Sequence, residues 1–342
     1  MSGSNICITS PTSRDVEPMA DGQERPRNTD FGLVVGVDHY PRFRSLQGAV
    51  ADATRFHAWL CEADGGGVAP EHARLVVSRP DPAAPLQDEV DEQLLELVKA
   101  ADAVGGGRRL YFHFSGHGAG SPDESGEDVA LLLAKWSRSL ARLALSTDEY
   151  RGALGGMGLF EEIAISLDCC RTTAERAVGL PPTLTHRPRA QRCATRTFIA
   201  YATEAGRSAF EIPDHELWQG VFTRCLLTIL RCSPYGISAS ALKRSLEYEV
   251  ASNGQQAHVV NGLREGSMFG RRGMLPRLVI TFVQAHGRVR LRNGRRLIIA
   301  EHDVGPEPWE LPLEAGLYKL EDSTGRTTAF DHGGEEVIHV VF

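Results

Sequence analysis

The sequence predicts an α/β sandwich built on a mainly parallel sheet, followed by a small all-β domain. Two observations lead to this prediction. Short Val-rich apolar runs alternate with amphipathic helical patterns up to about residue 266, and only short alternating segments follow. With 342 residues, of which 42% are hydrophobic, the chain can bury the core of one large domain and of a smaller one.

Strand and helix patterns alternate regularly through the large domain. Continuous apolar runs predict strands, and apolar residues three or four positions apart predict helices. The pair Ser146 and Glu149 has the spacing of a capping box and predicts a helix start. The predicted strands are 31–38, 73–77, 109–114, 129–133, 162–167 and 197–202, and the predicted helices are 46–61, 86–103, 147–154, 221–232 and 240–250.

Three stretches fall outside this alternation. Residues 1–30 are polar, contain Pro and lack the apolar block of a secretory signal, so we predict a disordered leader. Residues 172–197 have no sustained periodicity and concentrate Arg, which predicts an exposed loop. Over 271–342, short alternating segments stand between Gly, Pro and Asn-Gly turns and predict a small β-sandwich domain. The predicted strands there are 277–282, 289–291, 297–300, 317–320 and 337–342.

Charge and composition exclude several classes of protein. The formal net charge is −7, from 44 acidic and 37 basic residues, without the basic footprint of a nucleic-acid-binding or lipid-bound protein. No apolar run approaches the roughly 18 residues of a membrane-spanning helix. The 7 Cys residues form no CxxC pair and fit reduced thiols. We therefore expect a cytoplasmic protein that binds neither nucleic acid nor membrane.

Two predicted strands end in residues that can do chemistry. The strand at 109–114 runs into the turn SGHG, which contains His117, and the strand at 162–167 runs towards Cys169 and Cys170. Ligands collect at the carboxyl ends of parallel strands, so a thiol and an imidazole can meet there as nucleophile and base. Either residue type alone is more often structural. Adjacent residues of an extended chain point to opposite sides, and spacing alone does not choose between the two Cys residues.

Five segments together resemble a known family. They are FGLVVGVDHY at 31–40, LQGAVADA at 46–53, YFHFSGHG at 111–118, ISLDCCR at 165–171 and GVFT at 220–223. Their order and spacing are similar to those of the caspase and metacaspase superfamily, above all its bacterial caspase-like members. The resemblance implies a caspase-like three-layer α/β/α sandwich over 31–270. It also places the 172–197 segment where the large and small subunits of caspases are joined, as a candidate processing loop.

The resemblance also assigns roles to residues of the two strand ends. His117 matches the catalytic histidine and Cys170 the nucleophile, which leaves Cys169 as a neighbour. The backbone N–H groups of Gly118 and Cys170 would form the oxyanion hole, which stabilises the tetrahedral oxygen. The implied reaction is acyl transfer through a thioester that water then hydrolyses.

Asp52 and Asp168 stand at positions that line the primary pocket of metacaspases. Two carboxylates favour a cation, so we expect substrates with Arg or Lys before the scissile bond. The alternative is that Asp52 braces the first helix and Asp168 orients the loop. Arg171 stands where metacaspases often carry His and animal caspases carry Arg, which leaves cleavage after Asp open.

A group of acidic residues raises the question of calcium, which some metacaspases need: Asp123, Glu124, Glu127 and Asp128. Their spacing lacks the ligand alternation of an EF-hand loop, and a charge run is usually a solvated face. We expect no cofactor, and calcium activation is the alternative. His113 and His117 lie on a strand and a turn, so no transition-metal site is expected.

The sequence thus predicts a caspase-like cysteine endopeptidase that cleaves proteins or peptides after Arg or Lys. The resemblance implies regulated proteolysis, including bacterial defence or programmed cell death, and exposed Arg residues in 172–197 would suit self-cleavage. The alternatives are a protease that cleaves after Asp, a related enzyme of the legumain or gingipain kind, and a catalytically inactive scaffold. The β domain resembles Ig-like or prealbumin-like modules and offers a surface for a regulatory protein partner.

Overall fold

The computed structural model describes residues 29–120, 128–173, 176–188, 192–214, 217–233, 236–270, 277–294, 296–313, 316–332 and 337–342. The predicted leader lies outside the described residues up to residue 28, and the first strand begins at Asp30.

Five α-helices, one short 3-10 helix (Pro70–His72) and sixteen strands are described up to residue 270. The helices are α1 (Ala49–Cys61), α2 (Gln87–Ala103), α3 (Thr147–Met157), α4 (Val221–Arg231) and α5 (Ala239–Ser252). The strands are β1 (Asp30–Gly36), β2 (Ala73–Val77), β3 (Arg79–Pro80), β4 (Ala83–Ala84), β5 (Gly107–Ser115), β6 (Gly118–Gly120), β7 (Val129–Leu132), β8 (Ala144–Ser146), β9 (Phe160–Asp168), β10 (Gly179–Leu180), β11 (Arg196–Tyr201), β12 (Glu211–Asp214), β13 (Leu217–Gly220), β14 (Ile237–Ser238), β15 (His258–Asn261) and β16 (Met268–Phe269).

A six-stranded sheet with the order β15-β11-β9-β5-β1-β2 forms the central layer. Its neighbouring strands run parallel, except that β15 is antiparallel to β11. Leu33 and Val35 of β1 pack on one face of the sheet and Val34 packs on the other, as the period of two in a strand requires. Helices α2 and α3 cover the first face, and α1, α4 and α5 cover the second. The predicted three-layer α/β/α sandwich is thereby confirmed.

The predicted strand at 129–133 is found as β7, and the structure adds short strands that the sequence did not predict. Strand β7 forms a separate four-stranded sheet with the unpredicted β6, β8 and β10, and the unpredicted β12 and β13 pair as an antiparallel hairpin. The hairpin segment has few apolar residues and no alternation, so its pattern resembles a loop. This hairpin nevertheless contributes residues to the cleft described below.

The C-terminal region forms two sheets around a core of its own. Its strands are β17 (Arg277–Thr281), β18 (Arg288–Asn293), β19 (Ile298–Asp303), β20 (Trp309–Pro312), β21 (Gly316–Glu321), β22 (Thr327–His332) and β23 (Val337–Val341). The sheet orders are β20-β17-β23 and β19-β18-β21-β22. Leu278, Leu291 and Leu320 lie between the sheets and are fully buried. The predicted all-β region is confirmed, and β20 and β22 are strands that the sequence reading missed.

Candidate active site

A cleft of about 350 Å³ opens at the carboxyl edge of the central sheet. The ends of β5 and β9 form its floor, and the start of α1 and the β12–β13 hairpin form its walls. This is the edge at which open α/β sheets bind ligands. The lining residues include four of the five predicted site residues, namely Asp52, His117, Asp168 and Cys170.

The two adjacent thiols occupy different environments. The Cys169 side chain is 3% exposed, and burial raises the pKa of its thiol well above the ordinary value. Cys170 is half-buried and faces Ala209, whose backbone N–H donates to Cys170 Sγ at 3.3 Å. The Cys170 Sγ–H can in turn donate to Ala209 O, which lies 3.8 Å away. Both residues line the cleft, and Cys170 is the less buried of the two.

His117 is oriented by the backbone and by aromatic rings. Its Nε2 lies 2.6 Å from the carbonyl oxygen of Arg44, which can only accept, so Nε2 carries the proton. Nδ1 is then the basic nitrogen of the neutral ring. The ring lies between Tyr40 and Phe43, at centroid distances of 4.8 and 4.9 Å. Tyr40 Oη also accepts a hydrogen bond from the His117 backbone N–H at 3.0 Å and donates one to Leu132 O.

Gly118 packs directly against the chain that carries the thiols. A Cβ at this position would lie 2.6 Å from Cys169 Sγ and 2.6 Å from the carbonyl oxygen of Cys170. Leu132 N donates to His117 O, and Gly118 is the next residue along this antiparallel pair. Hydrogen-bonded and non-bonded positions alternate in such a pair, so the Gly118 N–H points away from β7. Glycine at 118 therefore brings a backbone donor close to Cys170.

Asp52 and Asp168 are both buried at the floor of the cleft and bind the start of α4. Asp52 Oδ2 accepts from Gly220 N at 2.7 Å, and Asp168 Oδ2 accepts from Thr223 N at 2.9 Å and Thr223 Oγ1 at 2.7 Å. Burial raises the pKa of both carboxyls, and the charge of Asp168 raises that of Asp52 further. The carboxyls therefore bind the start of α4, rather than the first helix and the loop that the alternative reading named, and they also line the cleft.

The sequence reading missed a third carboxylate in the cleft. Glu211, on β12, accepts from Gly48 N at 2.7 Å and so caps the start of α1. The two residues are 163 positions apart. Its negative charge also raises the pKa of Asp168. No local pattern signals this contact, because only the hairpin brings Glu211 to the cleft.

Arg171 lies outside the cleft lining. Its side chain is 4% exposed, its guanidinium stacks on Tyr201 at 4.0 Å, and Nη1 donates to Thr203 O. The residue that left substrate preference open in the sequence therefore packs beneath the site and does not face the cleft.

Of the four acidic residues considered for calcium binding, the structure describes Asp128. Its carboxylate accepts from Ser146 Oγ and Asp148 N, both at the start of α3. Asp123, Glu124 and Glu127 lie outside the described residues. Within the described part of the chain, no group of three or more His, Cys, Asp or Glu side chains could hold a metal ion.

The described part of the 172–197 segment is hydrogen-bonded to α2. Thr183 N and Oγ1 donate to Asp91 Oδ2 at 2.9 and 2.7 Å, and His186 Nε2 lies 3.2 Å from Asp102 Oδ2. Gln87 Nε2 donates to Pro181 O at 2.7 Å. The segment thus follows the body of the protein over 180–186, while Arg187 is exposed.

A parallel α/β/α sheet that presents a thiol and an imidazole in one cleft is the architecture of a caspase-like protein. The family model of Peptidase C14, described as the caspase domain, matches residues 29–265, and the chain belongs to this family. In the described part of the chain, no helix has both the length and the apolar character needed to span a membrane.

Two curated proteins are similar in sequence to parts of this chain. A probable protease from a Desulfuromonadales bacterium is 29% identical over 216 residues, covering 59% of this chain and 26% of the relative. Metacaspase-7 of Arabidopsis thaliana is 32% identical over 97 residues, covering 28% of this chain and 23% of the relative. The chain thus spans about a quarter of the length of these relatives. Caspase-1 from Spodoptera frugiperda aligns with a TM-score of 0.48 at 11% identity, covering 74% of this chain and 96% of that chain.

Proposed function

We propose that the protein is a cysteine endopeptidase that cleaves after Arg or Lys. The observation that supports this most directly is that Cys170 and His117 line the same cleft as two buried carboxylates. The family membership supports a peptidase, and the thiol environments favour Cys170 over Cys169 as its nucleophile.

In the proposed reaction, His117 Nδ1 takes the proton of the Cys170 thiol, and the thiolate sulfur attacks the scissile carbonyl carbon. The N–H groups of Gly118 and Cys170 donate to the tetrahedral oxygen, a stabilisation worth about 3 kcal/mol for each donor. The amine leaves with the proton from His117. Water, deprotonated by the same imidazole, then hydrolyses the thioester and frees the thiol.

The preference for a basic residue follows from the charge of the cleft. Asp52, Asp168 and Glu211 all line it, and a substrate guanidinium can donate to carboxylates with two parallel hydrogen bonds. An acidic side chain would meet repulsion from the same groups. Lys would bind as a point charge, with less geometric specificity than Arg.

We extend the proposal to the setting in which the enzyme acts. It catalyses regulated proteolysis in the cytoplasm, in bacterial defence or programmed cell death, after self-cleavage in the 172–197 segment. Its catalytic chemistry needs no cofactor, and a regulatory protein partner docks on the C-terminal β-sandwich. Equal turnover with calcium and with excess chelator is the expected result, and dependence on calcium would instead support activation by this ion.

The proposal is tested with fluorogenic peptides that carry Arg, Lys, Asp, Leu or Ala before the reporter, with Cys170→Ala as the blank. Cleavage after Arg or Lys that disappears in the variant is the expected result. Cleavage after Asp would contradict the basic specificity. If no peptide is cleaved and an electrophilic peptide does not label Cys170, the protein is an inactive scaffold.

A further inference from the structure

One cation lies beside the acidic floor of the cleft without lining it. Arg55 is on α1, one turn after Asp52, and its Nη2 atom donates to Asp52 Oδ1 at 2.7 Å. The Arg55 side chain is 32% exposed, whereas that of Asp52 is 1% exposed. The guanidinium therefore approaches the buried carboxylate from the solvent side of the helix.

The two oxygens of Asp52 are held from different directions. Oδ1 binds Arg55, and Oδ2 accepts from Gly220 N and lies 3.5 Å from Ser115 Oγ. The described partners of the neighbouring Asp168 are the neutral N–H and hydroxyl of Thr223. The internal cation thus acts on one carboxylate of the pair.

Two buried carboxylates in one pocket compete to stay ionised, because burial and mutual repulsion both favour a bound proton. The charged and titratable groups near this pair are Arg55 on α1, Arg44 in the segment before it and Glu211 on β12. Cys225 on α4 and the strand-end residues His117, Cys169 and Cys170 complete the set. Arg55 opposes protonation of Asp52, and the Gly220 N–H bond does the same. A substrate cation can use the carboxylate only when no proton occupies it.

We infer that Arg55 is a positioning residue for substrate selection, which lowers the pH at which Asp52 becomes ionised and able to bind a substrate guanidinium. The inference rests on the proposed basic specificity and adds to it the residue that sets the pH range of that specificity. Without Arg55, the pocket would hold a proton up to a higher pH. Above that pH it would carry one more net negative charge than in the wild type.

The test compares two peptides that differ only in having Arg or its neutral isostere citrulline before the scissile bond. The ratio of their kcat/KM values cancels any pH dependence of the catalytic steps that both peptides share. We expect the ratio of Arg over citrulline turnover to rise at a pH about one unit higher in Arg55→Met than in the wild type. At acidic pH the ratio of the variant should be roughly tenfold lower than that of the wild type, and at alkaline pH it should equal or exceed the wild-type ratio.

Two variants serve as controls. Arg55→Lys keeps the positive charge and is expected to restore the wild-type profile. Arg151 on α3 donates to Asp148 at 2.9 Å with the same spacing of three residues, away from the cleft, so Arg151→Met is expected to leave the ratio unchanged. Arg55→Gln also removes the positive charge, and it is measured beside Arg55→Met in case one of the two variants fails to fold.

A loss of the Arg preference by the same factor at every pH, or no change at any pH, would overturn the inference. So would loss of folding in both Arg55→Met and Arg55→Gln, since Arg55 would then act on stability. A wild-type ratio near one across the pH range would instead contradict the proposed basic specificity, and the inference with it.

Discussion

The hydroxyl of Tyr40 links the turn that carries His117 to β7, because it accepts from the His117 backbone N–H and donates to Leu132 O, both at 3.0 Å. Tyr40→Phe leaves both buried groups without this partner, at a cost of about 1–3 kcal/mol. We expect kcat to fall about tenfold with little change in KM, measured on an Arg peptide. Tyr248, which is 71% exposed, provides the control Tyr248→Phe, and an equal loss there would contradict the role of Tyr40.

The close approach of Gly118 to the thiol-bearing chain predicts a strong effect of one added methyl group. Gly118→Ala would place Cβ 2.6 Å from Cys169 Sγ and from a backbone oxygen, and such overpacking costs about 1–3 kcal/mol. We expect a lower melting temperature and loss of peptide hydrolysis. Gly152 on α3 has nothing within 4 Å, so Gly152→Ala is expected to stabilise by about 1 kcal/mol. Full activity in Gly118→Ala would contradict the close packing.

The environments of the two thiols predict which of them reacts. Cys170→Ala should abolish hydrolysis, and Cys169→Ala should retain it with a modest loss of stability. Alkylation mapped by mass spectrometry should modify Cys170 in the wild type, and mapping is needed because Cys232 is also exposed. The reverse pattern, with activity lost only in Cys169→Ala, would make Cys169 the nucleophile.

The buried carboxyls predict a pH-dependent preference for basic substrates. Burial raises the pKa of Asp168, so the folded protein keeps this carboxyl protonated, and therefore neutral, to a higher pH than an exposed Asp. The ratio of kcat/KM for Arg over citrulline peptides should consequently rise as the pH increases from mildly acidic to neutral. Asp168→Asn should lower the ratio about tenfold at alkaline pH and flatten its rise. Asp148→Asn, on α3, is the control, and the same flattening there would contradict the assignment.

The hydrogen bonds between α2 and the 172–197 segment predict that this segment resists proteases. Asp91 is 3% exposed and accepts hydrogen bonds from both Thr183 and Tyr150. Asp91→Ala removes these acceptors, so we expect limited trypsin digestion at the exposed Arg176, which precedes Ala177, to become several times faster, as followed by mass spectrometry. Asp88→Ala, an exposed position on the same helix, should leave the rate unchanged. Equal rates in both variants would show that Asp91 does not hold the segment.

Much of the fold could be predicted because its signals are local. Helix α2 was expected at 86–103 and is found at Gln87–Ala103, since its apolar residues repeat at helical spacing. The meeting of His117 and Cys170 in one cleft could also be expected, because both follow strands of one parallel sheet. The choice of Cys170 came from resemblance, and the catalytic roles stay predictions.

The remaining features depend on contacts between distant segments. Glu211 reaches α1 only through the β12–β13 hairpin, whose sequence has no strand alternation. The role of Arg171 could not be predicted either, because no sequence pattern near it indicates that its side chain is buried and stacks on Tyr201. Side-chain direction at a strand end is set by the tertiary environment.

The same three carboxylates that line the cleft also accept the first N–H groups of α1 and α4. A protein engineer who wished to redirect the cleft towards acidic substrates could not simply exchange Asp52, Asp168 or Glu211 for cationic residues. Each exchange would also leave a helix start without its acceptor, at about 1 kcal/mol or more for each lost cap. A new specificity would therefore require substitute caps elsewhere in the chain before any basic residue could be tolerated in the cleft.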